Sequence, residues 1–188
     1  MAEPKVCVSL EAITVEEMID EATRANIAGA DYVEVRFDKL YLNKPEPITM
    51  VNDDGEEYSK MPPIEEWGVK DFEEIDVEQA IANLKEGIPV PVVFTARAVR
   101  EGGFFAGTEQ ERLQILEQGI KSEVSFVDLE LSIEKKSRDK LVKLASSSNC
   151  QVIASIHETK ATPSAEEIVT MVKDLSLIHI SEPTRRLV

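Results

Sequence analysis

Apolar residues recur along this chain with two alternating periods. Short runs rich in valine and isoleucine are followed by stretches in which apolar positions return every three or four residues. Lys5–Leu10, Asp31–Phe37, Val90–Phe94, Val124–Leu131 and Cys150–Ile156 read as strands. Thr14 reads as an N-cap, with Glu16 and Glu17 in the first turn of a helix reaching Ala28. Val15, Met18, Ile19, Ala22 and Ala25 are its apolar face, and Gly29 ends it. Asp76 caps a helix ended by Gly87, and Thr108 with Glu111 forms a capping box for Glu109–Lys121. Ser132 is expected to cap a helix through Leu144, and Ser164 with Glu167 to open another over Ala165–Leu175.

Five strand–helix repeats predict an α/β fold with a parallel sheet and right-handed crossovers. The even spacing favours a barrel over a Rossmann sheet, and no GxGxxG follows the first strand. Only residues 41–67 break the rhythm. Their prolines and the turn Asp53-Asp54-Gly55 predict an excursion holding a small hairpin.

Composition narrows the function classes. A chain of 188 residues suffices for one domain, and 43% hydrophobic with 5% aromatic content predicts an aliphatic core. A net charge of -15 argues against nucleic-acid or anionic-membrane partners. Cys7 and Cys150 lie in apolar runs and read as buried, inert thiols, as in a reducing compartment. No signal-like segment or 18-residue apolar run is present, so a cytoplasmic protein is expected.

Parallel strands are normally apolar on both faces. Here Val33, Val35 and Phe37 alternate with Glu34, Arg36 and Asp38, and Val127, Leu129 and Leu131 with Asp128 and Glu130. Thr95 shares a parity with Arg97, and Ser155 with His157. One half-solvated strand would explain one such alternation. Several strands charged on one parity, always near the C-terminal end, predict convergence at a barrel mouth. His157 directly follows a strand, and a neighbouring carboxylate, here Glu101, would fix its tautomer and raise its basicity. Gly102, Gly103 and Gly107 lack a P-loop context and read as a flexible loop. Two histidines and two strand cysteines give no zinc spacing, so no metal is expected.

Glu34-Val-Arg36-Phe-Asp38, Thr95-Ala-Arg97 followed by Glu101-Gly-Gly, Asp128-Leu-Glu130-Leu, Ser155-Ile-His157 and Thr162-Pro-Ser-Ala-Glu166-Glu167 together resemble type I 3-dehydroquinate dehydratase. The resemblance runs from Lys5 to about Leu175. It implies an eight-stranded (β/α)8 barrel of which this chain holds about the first five units, within residues 1–175. It implies dehydration of 3-dehydroquinate to 3-dehydroshikimate, a shikimate-pathway step, through a lysine Schiff base without cofactor, in a homodimer. His157 would be the general base, Glu101 its orienting partner, and Ser9, Glu34, Arg36 and Arg97 substrate-binding groups. Glu158 stands where the family usually has aspartate.

One departure matters more. The family's Schiff-base lysine falls under thirty residues past the histidine, in a Pro-Lys-Ile type motif. Residues 176–188 read SLIHISEPTRRLV, contain no lysine, and look like translated sequencing adapter. Lys160 reads as a solvated loop residue. The expected chain is therefore a catalytically incomplete dehydratase with a foreign tail. Two alternatives stand beside it: an enolate-forming barrel using Mg²⁺ on Asp128 and Glu130, and a fragment that only binds or assembles.

Overall fold

The computed structural model of the chain describes residues 4–178. β1 (Cys7–Ser9) leads to α1 (Val15–Ile27), and β2 (Tyr32–Arg36) returns beside β1. In the excursion, β3 (Leu42–Asn43) pairs with β6 (Gly68–Val69), and β4 (Ile48–Val51) with β5 (Glu57–Lys60), both antiparallel. Then come α2 (Val77–Gly87), β7 (Val92–Thr95), α3 (Glu109–Lys121), β8 (Phe126–Glu130), α4 (Lys135–Ser147), β9 (Gln151–Ser155) and α5 (Ala165–Ile178). The main sheet runs β1-β2-β7-β8-β9, every neighbouring pair parallel. Strands side by side in chain order make the wall of a barrel; a doubly wound sheet reverses its order. The fold is α/β, with five βα units of the barrel class.

Local chemistry sets the helix starts. The Thr14 hydroxyl accepts from the Glu17 amide, Asp76 accepts from the Gln79 amide, and Thr108 exchanges bonds with Glu111. Ser164 and Glu167 make the same reciprocal pair before α5. In the β4–β5 hairpin the Asn52 side chain accepts from the Asp54 and Glu56 amides, and Gly55 takes φ +84°. α4 departs from the reading. It starts at Lys135 with Glu134 as cap, because Ile133 dips into the core and Arg100 holds the Ser132 hydroxyl.

The register divides the sheet into two unlike faces. Val33 and Val35 lie level with Val92 and Phe94, and Val127 with Val152. This apolar face packs beneath the helices with Met18, Ala22, Ile81, Ile115, Leu116 and Ile120. Ser9, Glu34, Arg36, Thr95, Asp128, Glu130 and Ser155 occupy the other face through the same pairings. Cys7 shares that second face, and it is exposed, contrary to the expected buried thiol; Cys150 is buried. Among the described residues no helix packs on the second face, so a thiol on its edge strand meets solvent.

Among the described residues β1 and β9 each have a partner on one side only. Exposed Val8 and Ile153 lie along those edges, and Ile168, Val169 and Val172 project from α5. Unpaired strand edges template further pairing. The isolated chain should therefore self-associate at micromolar concentration in sedimentation velocity. A monomer that melts cooperatively would contradict this.

Candidate active site

The charged residues meet where the C-terminal ends of β2, β7, β8 and β9 converge. Arg97, two residues past β7, is the hub. Its Nη2 donates to Asp128 Oδ2 at 3.1 Å and to Glu34 Oε1 at 3.4 Å, and its Nε lies 3.7 Å from Glu130 Oε1. Arg112 reaches the same carboxylate from α3, donating from Nη1 to Glu130 Oε2 at 2.8 Å. It also donates to the Ala96 carbonyl and pairs with Glu109. Thus two guanidinium groups face a cluster of acids that could not be buried alone.

His157 stands beside this cluster. Its Nδ1 lies 2.9 Å from Glu101 Oε2. A carboxylate only accepts, so Nδ1 carries the shared proton and Nε2 is left as the basic nitrogen. Glu101 is buried on the 3-10 turn Val99–Glu101, which ends at Gly102 with φ +75°. The Gly103 amide donates to the Ala98 carbonyl, and a Cβ on Gly103 would sit 2.1 Å from the Arg97 carbonyl oxygen. The glycines therefore close a tight turn linking Arg97 to Glu101, where a flexible loop was expected.

Burial and like charges set the electrostatics. Burial pushes the Asp128 carboxyl up, with a Ser155 hydrogen bond and then Arg97 pulling the other way. Burial, then the neighbouring Glu101 and Asp128 charges, push Glu130 up to about 7 against the opposing pull of Arg112 and Arg97. Three buried atoms here have no protein hydrogen-bond partner: Thr95 Oγ1, Arg97 Nε and Glu130 Oε1. Such groups are rare in proteins and call for a partner the protein does not supply, such as a water, an ion or a ligand. Glu101, Glu130 and His157 also bring one donor atom each within 4.8 Å of one another. The Mg²⁺ pair, Asp128 with Glu130, is instead neutralised by Arg97 and Arg112.

The family model for type I 3-dehydroquinase matches residues 6–179. The chain belongs to the type I 3-dehydroquinase family. It is 28% identical over 168 residues to the 3-dehydroquinate dehydratase of Methanosarcina acetivorans, covering 88% of this chain and 57% of that protein. It is 32% identical over 130 residues to that of Methanocaldococcus jannaschii, covering 68% of this chain and 56% of the relative. Among solved structures, the type I 3-dehydroquinate dehydratase of Clostridium difficile with covalent modified comenic acid aligns at TM-score 0.71. That match has 23% identity and covers 95% of this chain and 60% of the other. The Enterococcus faecalis enzyme aligns equally well. The chain thus spans less than two thirds of the length of each of these relatives.

Of the positions read from sequence in this 3-dehydroquinase domain, Glu34, Arg97, Glu101 and His157 come together. Arg36 is half-buried at 11% side-chain exposure but takes a different partner. It forms a two-bond pair with Asp38 at 3.0 and 2.7 Å, with the Phe104 ring 5.9 Å from its guanidinium carbon. β2 stops at Arg36, one residue earlier than expected, and Asp38 belongs to the 3-10 turn Phe37–Tyr41. Ser9 is exposed and level with Glu34 in the β1–β2 register. Glu158 and Lys160 are exposed. Two buried cations escaped the reading. Arg112 occupies the buried stripe of α3 with Ile115, Leu116 and Gly119, and that lone charge at helical spacing was the available signal. Lys39, in the turn after β2, bonds Glu11 and lies 5.9 Å from the Phe104 ring centre. His179 and the rest of residues 179–188 lie outside the described residues.

Among the described residues no helix is long and apolar enough to cross a membrane.

Proposed function

We propose that residues 1–188 carry the histidine–carboxylate half of a 3-dehydroquinate dehydratase site. The single observation that carries this reading is the His157 Nδ1–Glu101 Oε2 contact of 2.9 Å beside the Arg97 cluster. In this reading Nε2 of His157 abstracts the proton beside the substrate ketone and later protonates the departing hydroxyl. Glu101 holds the ring and stabilises it when protonated. Arg97, Glu34, Arg36 and Ser9 bind the substrate. The orphaned donors and acceptors at the mouth suit a small polyhydroxylated carboxylate.

The other half is a lysine whose imine with the ketone acidifies the adjacent C–H. Among the described lysines, Lys39 is tied to Glu11 and Lys160 is exposed. We infer that the lysine side lies in sequence these residues do not contain, and that foreign sequence in the 176–188 tail begins no earlier than residue 180, since the family match reaches residue 179. α5 runs on to Ile178, so the helix itself does not mark that boundary. Completing the chain with the C-terminal three βα units of a relative should restore dehydration, which appears as absorbance of the conjugated enone.

A further inference from the structure

Glu130 is the carboxyl of the site with the least solvent and the most unequal oxygens. Its side chain is 2% exposed. Oε2 accepts a close bond from Arg112, whereas Oε1 has no hydrogen-bond partner and lies 3.7 Å from Arg97 Nε, beyond bonding distance. Charged groups approach it from every neighbouring element. Asp128 shares β8, Arg97 and Glu101 come from the segment after β7, Arg112 from α3, and His157 from beyond β9. Glu109 holds the other edge of Arg112.

A buried carboxylate oxygen that accepts no hydrogen bond, with Glu101 and Asp128 nearby, is costly even with the Arg97 guanidinium 3.7 Å away. A proton on Oε1 removes that cost and creates an O–H donor. Oε2 cannot carry this proton without giving up its bond from Arg112. From this geometry we infer that Glu130 is a proton-holding group of the site, and that Arg112 is the positioning residue that fixes its orientation and its charge. The inference rests on the reading of His157 and Glu101 as the acid–base pair. One oxygen of Glu130, one of Glu101 and a ring nitrogen of His157 lie within 4.8 Å of one another. A charge gained or lost on Glu130 therefore changes the field at the imidazole. Its titration position supports the same assignment, since it lies at about 7 through burial and its acidic neighbours.

The test uses residues 1–188 with glutamate labelled by ¹³C at the side-chain carboxyl, titrated by NMR. One resonance should titrate near pH 7 and vanish in Glu130→Gln. In Arg112→Met its midpoint should rise by roughly one to three units, because the opposite charge is gone. Arg112→Lys keeps the charge but loses the planar fork, so it should give a smaller rise in a chain that stays folded. A Glu130 midpoint near that of an ordinary glutamate, about 4.3, would overturn the inference. So would a folded Arg112→Lys or Arg112→Met chain with an unmoved midpoint. No turnover is measured, so failure here leaves the roles of His157 and Glu101 standing, and their failure leaves this result standing.

Discussion

Incubated with 3-dehydroquinate and then borohydride, residues 1–188 should show no added mass and form no enone. An imine requires a primary amine that is unprotonated at working pH and held in a dry pocket beside the ketone. Lys39 is buried, but its ammonium is bonded to Glu11 and lies against the Phe104 ring. Lys70 donates to the Leu40 carbonyl and Lys85 to the Ser122 carbonyl, so both ammonium groups are already engaged. Lys160 is near His157 in sequence but exposed, in a stretch with no helix or strand. Under the proposed imine mechanism the adjacent C–H stays weakly acidic without that imine, so His157 alone should lower the barrier little. Intact-mass measurement after borohydride and absorbance of the enone read the two expectations separately. An adduct on any lysine of this chain would place the nucleophile among residues 1–188.

Replacing Arg97 by leucine should destabilise the fold by roughly 3–5 kcal/mol, the range for removing one partner of a buried ion pair. Arg97 is 14% exposed and faces three acids, two of them almost wholly buried. Arg112 compensates only Glu130, so Asp128 would lose its hydrogen-bonded cation. The loss should depend on pH, with a sign that follows from burial. Glu130 binds its proton more tightly in the folded chain, at about 7 against 4.5 for a free side chain. Its contribution to stability is therefore full below about 4.5 and declines as pH rises through about 7. Asp128 shifts in the same direction. Removing Arg97 strengthens both upward shifts, so the deficit should be largest at pH 8 and shrink at pH 5. Urea unfolding at the two pH values measures it. A deficit under about 1 kcal/mol, or one independent of pH, would show that Arg97 does not hold the cluster together.

Where the fold and the site were legible, the signal was local or periodic. Thr14, Asp76, Thr108 with Glu111, and Ser164 with Glu167 cap their helices as read, because a cap is a bond across three residues. The charged parity of the strands was legible because a strand's side chains alternate, and the register carries that alternation across the sheet. What escaped depends on distant chain. Ser132 has the chemistry of a cap, but Arg100 claims its hydroxyl. Cys7 sits in an apolar run, yet among the described residues no helix covers its face of the sheet. Val90 and Pro91 precede β7, because the ladder starts where Val92 meets Val33. Asp38 pairs with Arg36 only because the strand gives way to a 3-10 turn. Arg112 was visible as a charge on an apolar stripe, but its partner Glu130 lies across the packed interface between α3 and β8.

The claim that His157 and Glu101 are the acid–base half of a dehydratase site has one direct test. Residues 1–175 are joined to the C-terminal three βα units of the Methanosarcina acetivorans relative, with and without His157→Ala, and 3-dehydroquinate dehydration is followed by enone absorbance. The completed chain should turn over and give a borohydride-trapped adduct. His157→Ala should lower the rate by roughly 10²–10⁴-fold while trapping persists, since the imine needs the lysine and not the histidine. A His157→Ala chain that dehydrates at the parent rate would contradict the assignment.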